Sequence, residues 1–270
     1  MGLEDPDGEL EGRDAEVGRA RASRGRGHII NTGLPSEPPD WIRRLPERRT
    51  DRSRLVQKGV PRGARCRVDW PKTTRRWARR GYADASLIWE RSPRGPSPIV
   101  VLWDISGSMA SYVPWYFPWL YRLVSAQSAV HVFAFGTGLE DLTEYLQRPY
   151  GEALRALYGE TDLWGSGTAM GDAFQDWTRC YGRRLLSRAT TVLIVSDGWD
   201  AGDPTILQEA LRRMAGRARR IEWINPLMVT EGFEPKTRGL RIARQFTDNM
   251  SAGASPEELV RVNWRLGFGR

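Results

Sequence analysis

Five side chains in this 270-residue chain combine types and spacing suited to chemistry. Asp104, Ser106 and Ser108 fall within one short stretch, "VVLWDISGSM". Thr168 lies in the glycine-rich "WGSGTAMGDAF", and Asp197 follows the apolar run "TTVLIVSDG". All five offer oxygen, and none offers nitrogen or sulfur. Such a set suits a hard divalent cation, Mg²⁺ or Mn²⁺, and suits zinc poorly. Two carboxylates formally neutralise the ion. Where they act through water, its direct protein ligands are neutral hydroxyls, and the metal keeps an open position for an acidic group from outside.

The elements that must position these residues are legible around them. "PIVVLWD" is a continuous apolar run, as expected of a strand covered on both faces. "AVHVFAFG", "TTVLIVSDG" and "IEWINP" read as further strands. Between them, "YVPWYFPWLYRLVSAQS", "PYGEALRALYG", "TAMGDAFQDWTRCYG" and "DPTILQEALRRMAGRARR" read as helices. Asp203 caps the last of these and Pro204 takes its first position. This alternation predicts an α/β fold: a doubly wound, mainly parallel sheet with helices on both faces. Ligands of such sheets sit beyond the carboxyl ends of the strands, where Asp104 and Asp197 fall. Asp104 alone would read as a cap and Asp197 alone as a turn former. Their joint occurrence with Ser106, Ser108 and Thr168 favours the metal. Asp200 and Asp203 read as turn and cap residues, and Asp172 lies close enough to be considered.

The order Asp-x-Ser-x-Ser, then Thr, then Asp resembles the metal-ion-dependent adhesion site of von Willebrand factor A (VWA) domains. "VVLWDISGSMASY", "VFAFGTGLEDLT", "WGSGTAMGDAF", "VLIVSDGWDAGDP" and "IEWINPLMVTEGFEP" resemble the CoxE-like subgroup across roughly residues 55–250. The resemblance implies that Ser106, Ser108 and Thr168 approach the metal, with Asp104 and Asp197 often acting through water. It also implies a non-enzymatic adaptor paired with a MoxR-type AAA+ ATPase, serving the activation or maturation of a client metalloenzyme, including molybdenum-dependent carbon monoxide dehydrogenase. The stretch "GLRIARQFTDNMSAGASPEELVRVNWRLGFGR" departs from the subgroup's small-residue-rich tail, and Ser166 stands where glycine is frequent.

Composition bounds the remaining readings. A hydrophobic content of 40% and 12 tryptophans exclude wholesale disorder. No apolar run reaches the ~20 residues needed to span a bilayer. "MGLEDPDGELEGRD" has neither the apolar centre of a secretory signal nor the hydroxyl residue of a myristoylation signal. A cytoplasmic protein is the expectation. The two cysteines, Cys66 and Cys180, read as free thiols. His131, inside a strand, reads as a core histidine, and two histidines in all argue against a site needing several imidazoles.

The net charge of +8 is concentrated in one segment. Residues 41–94 carry 17 basic and 5 acidic side chains, whereas residues 95–270 carry 19 of each. The expected organisation is a tail over 1–40 and a basic Trp/Arg-rich extension over 41–97 packing on the domain. The VWA domain follows over 98–250, then a tail or short helix over 251–270. "WPKTTRRWARRGY" interleaves arginine with aromatics, which also suits single-stranded nucleic acid; that is the alternative function. A Mg²⁺-dependent phosphatase is a weaker alternative, because Ser106 stands where such enzymes place a second acid. A serine hydrolase lacks its base and its Gly-x-Ser-x-Gly turn, and no Walker phosphate loop is present.

Overall fold

The computed structural model describes residues 37–43, 45, 55–56, 66–80, 87–91, 97–161, 167–235 and 237–268. Two compact units divide the chain, one of residues 49–97 and one formed by the remainder.

In chain order the elements are α1 (Asp40–Arg43), β1 (Leu55–Val56), β2 (Cys66–Val68), α2 (Trp70–Arg80), β3 (Trp89–Arg91) and β4 (Ile99–Asp104). A 3₁₀ turn, Gly107–Tyr112, leads into α3 (Val113–Ala126), β5 (Val130–Phe135), β6 (Leu139–Asp141) and α4 (Tyr150–Glu160). Then come α5 (Met170–Cys180), α6 (Gly182–Leu185), β7 (Thr191–Val195), α7 (Pro204–Arg217), β8 (Arg220–Ile224), α8 (Arg238–Ala243), β9 (Asn249–Ser251) and α9 (Pro256–Leu266).

The smaller unit holds an antiparallel sheet ordered β1-β3-β2. Asp69 opens α2 by accepting the Lys72 N–H at 3.0 Å, as a helix cap does. The buried Thr73 hydroxyl accepts the Ile88 N–H at 3.0 Å, tying the helix to the segment before β3. Trp70 and Trp77 meet edge to face at 6.5 Å, and Trp70 remains exposed.

The larger unit is built on a six-stranded sheet ordered β6-β5-β4-β7-β8-β9. Every pairing is parallel except β5 with β6. All six residues of β4 are buried, the consequence of helices on both faces. Strand alternation sorts them. Ile99, Val101 and Trp103 join one core with α3, α4 and α9 residues such as Phe117, Leu157 and Leu259. Val100 and Leu102 join the other with Phe174 of α5 and Leu211 of α7. The predicted doubly wound α/β architecture is the observed one.

The first core also takes Ile42 and Leu45, so the start of the predicted basic extension contributes apolar side chains to the sheet. The last segment folds as α9, opened by the Ser255 hydroxyl and closed by Gly267. Buried Asn263 of α9 accepts the Trp119 indole N–H of α3 at 2.7 Å. The expected cap is present on α7, where Asp203 accepts the Thr205 N–H at 2.8 Å and Pro204 is the first residue. In "YVPWYFPW", Tyr116, Phe117 and Trp119 are core residues, and Trp115 is partly exposed. His131 is half-buried rather than in the core, and burial lowers its pKa. Cys180 is a free, exposed thiol.

Candidate metal centre

The chain order of the sheet creates a crevice at one place. From β4 the chain passes through α3, on one face, to β5 on one side. It returns past β4 to β7, from which α7 runs along the other face to β8. Connections leaving two adjacent parallel strands on opposite faces open the sheet at their carboxyl ends. Those ends carry Asp104 on β4 and the Ser196–Asp197 pair just after β7.

Asp104 is wholly buried. Its Oδ1 accepts the Ser106 backbone N–H at 3.0 Å, closing the turn beyond the strand. Its Oδ2 accepts the Ser196 hydroxyl at 2.7 Å. Burial pushes its pKa up to about 6, against the opposing pull of the hydrogen bonds from Ser196 and Ser106; nearby Asp197 raises it further. The turn that Asp104 closes brings the hydroxyls of Ser106 and Ser108 to 3.2 Å from each other. Ser106 is buried and Ser108 is exposed, so the pair runs from the sheet edge outward.

Asp197 is also buried. Its Oδ1 accepts the Trp199 N–H at 3.1 Å, and its carbonyl accepts the side-chain amide of buried Asn225 at 3.1 Å. Gly198 follows at φ 83°, a left-handed conformation that favours glycine. A Cβ there would stand 2.3 Å from Leu240 Cγ, so α8 packs directly on this turn. Trp199 is 65% exposed and stands at the rim.

Thr168 is buried on the loop that opens α5. Its carbonyl accepts the Ala201 N–H at 3.0 Å, and the next residue, Ala169, donates to the Gly136 carbonyl at 3.0 Å. Asp200 accepts the Met170 N–H at 2.9 Å and the Gly202 N–H at 3.2 Å, the turn duty expected of it. The Thr168 loop is thereby fastened to the loop after Asp197 and to the end of β5. Hydrogen bonds join Asp104, Ser106 and Ser108, electrostatics couples Asp104 to Asp197, and backbone bonds bring in the Thr168 segment. Asp172 is exposed on the first turn of α5, and Ser166 lies outside the described residues.

Sequence reasoning passed over Ser196 and Asn225. Ser196 donates to Asp104 and accepts the Gly198 N–H at 2.9 Å, so one hydroxyl supports both acidic turns. The signal was register: Trp103 pairs with Val195, so the next residues, Asp104 and Ser196, face each other across β4 and β7. Asn225 follows β8 and accepts the Leu227 N–H while holding Asp197.

An all-oxygen set around a buried, desolvated carboxylate fits a hard divalent cation, which would offset the burial of the charge. Among the described residues, no helix is long and apolar enough to cross a membrane.

A family model described as "VWA domain containing CoxE-like protein" matches residues 40–259. No curated protein matches the chain. Similar solved structures include a von Willebrand factor type A protein from Catenulispora acidiphila, at 18% identity and a TM-score of 0.46, covering 67% of this chain and 44% of that one. Another is proximal thread matrix protein 1 from the mussel byssus with a zinc-occupied metal-ion-dependent adhesion site, at 17% identity and a TM-score of 0.43, covering 64% and 47%. A third is the conserved hypothetical protein BatB from Bacteroides thetaiotaomicron, at 13% identity and a TM-score of 0.38, covering 63% and 96%. The chain spans less than half the length of the first two.

Proposed function

Because the chain belongs to the CoxE-like proteins that contain a VWA domain, we propose that it is an adaptor that docks on a partner protein through a divalent metal ion held by Asp104, Ser106, Ser108, Thr168 and Asp197. The observation that carries this reading is the buried Asp104 carboxylate, set beside two hydroxyls and a second acid at the crevice of the sheet. Mg²⁺ or Mn²⁺ suits these oxygen donors. When bound, the ion supplies Lewis acidity toward an external anion. The hydroxyls of Ser106, Ser108 and Thr168 would hold the ion without adding charge, leaving it with charge available for a carboxylate of the partner. Ser196 and Asn225 keep the two acidic turns in position.

The partner assigned on family grounds is a MoxR-type AAA+ ATPase. The chain has no Walker phosphate loop of its own, so ATP-driven work falls to that partner. The adaptor role is to couple the motor to a metalloenzyme under activation or maturation, with a carbon monoxide dehydrogenase-like enzyme as a candidate client.

The test is affinity capture from native extract with tagged protein, in Mg²⁺ or in chelator. Wild type retains an AAA+ ATPase in Mg²⁺ and releases it in chelator. Asp104→Ala, and Ser106→Ala with Ser108→Ala, lose it while keeping the wild-type circular dichroism. Capture that persists in the folded variants and in chelator overturns the metal-docking reading.

A further inference from the structure

A cleft of about 490 Å³ lies at the β9 end of the sheet. Phe233, Leu240 and Met250 give it an apolar lining. Arg244 and Asp248 line it as well, and no ion pair joins them or engages either one among the described residues. Asp248 Oδ2 accepts the Ile221 N–H at 2.7 Å, which leaves Oδ1 for a ligand. Thr247, another lining residue, has a buried hydroxyl with no hydrogen-bond partner; buried polar groups without partners are uncommon in folded proteins.

We propose that this cleft binds a small amphipathic zwitterion, of the class of apolar α-amino acids, with Arg244 receiving the carboxylate, Asp248 the ammonium, and Phe233, Leu240 and Met250 the side chain. A plain carboxylate would meet repulsion from Asp248, and a plain amine would meet Arg244. Arg244 and Asp248 are exposed, and a molecule bearing both charges complements them both. The volume and the mix of apolar wall with a few polar groups are those of small-molecule sites.

The cleft also touches the acidic turn described above. Asn225 lines it, and the same side chain donates to the Asp197 carbonyl. Leu240 lines it and packs against Gly198. A ligand pressing on Asn225 and Leu240 therefore acts on the Asp197–Gly198 turn, giving the site a route to regulate whatever binds there. The binding itself does not depend on the metal-docking reading.

The full chain, in chelator, is titrated with L-phenylalanine and with L-leucine while backbone amide shifts are followed by NMR. Saturable shifts are expected around Arg244 and Asp248 and at Asp197 and Gly198. Arg244→Ala and Asp248→Asn, the latter keeping an acceptor for Ile221, should each weaken binding about tenfold or more. The analogues 3-phenylpropionate and 2-phenylethylamine, each lacking one charge, should weaken by a similar factor. Absence of saturable shifts with both amino acids overturns the site. Equal binding of the analogues overturns the zwitterion assignment, and shifts that leave Asp197 and Gly198 unmoved overturn the link to the acidic turn.

Discussion

Replacing Asp104 by asparagine should stabilise the metal-free protein, by an amount that grows with pH. Asp104 has a pKa raised from 3.8 to about 6 in the folded state, chiefly by burial. Between those values the folded chain holds a proton that the unfolded chain has released. Stability from this residue is therefore fully present below 3.8 and is lost as pH rises through about 6. A shift of this size corresponds to about 3 kcal/mol at neutral pH. Asparagine is nearly isosteric and uncharged. Its oxygen can accept the Ser106 N–H, and its amide can donate to Ser196, whose hydroxyl then turns toward Met170 Sδ, 3.9 Å away. The assay is urea denaturation followed by tryptophan fluorescence in chelator. The advantage of Asp104→Asn over wild type should rise from about 1 kcal/mol near pH 4.5 to about 3 kcal/mol near pH 7.5. Adding Mg²⁺ should stabilise wild type and leave the variant unchanged, since a ligand stabilises only the state that binds it. A stability difference that is flat across this range, or that falls with pH, would refute the argument that burial of this charge dominates.

Three other outcomes follow from particular contacts. Ser196→Ala leaves Asp104 Oδ2 and the Gly198 N–H without the hydroxyl they share, and should cost about 2–4 kcal/mol near neutral pH; the loss should shrink at acid pH, where Asp104 is protonated, as denaturation curves at two pH values would show. Gly198→Ala meets Leu240 Cγ at 2.3 Å in a left-handed turn, and should destabilise by about 2 kcal/mol or more, visible as a lower thermal midpoint in calorimetry. Asn263→Leu strands the buried Trp119 indole N–H, and should cost about 1–3 kcal/mol; Trp119→Phe in the same background should recover part of that in a double-mutant cycle.

Much of the architecture could be read along the chain because it rests on local periodicity. The unbroken apolar run 99–103 marks a strand covered on both faces, and "DPT" at 203–205 marks a helix start; both stand in the structure. The acids at 104 and 197 were legible for the same reason, since each ends an apolar run. Other features left little local trace. The three-residue β6 and β9 are too short for a two-residue alternation to stand out. Ile42 and Leu45 sit in an arginine-rich stretch whose composition suggests a wet surface, yet both enter the core.

Residue types and order by themselves determined the class of fold, the all-oxygen chemistry of the five candidate side chains and the strand ends on which the two acids lie. Tertiary structure alone decided how that set is supported. Ser196 reaches Asp104 across 92 positions because β7 pairs with β4 in one register. Asn225 reaches the Asp197 carbonyl because β8 lies beside β7. A chain reports its own alternation and turns, but which strands become neighbours is set by the burial of two apolar faces at once. Only that choice gives a hydroxyl or an amide its partner.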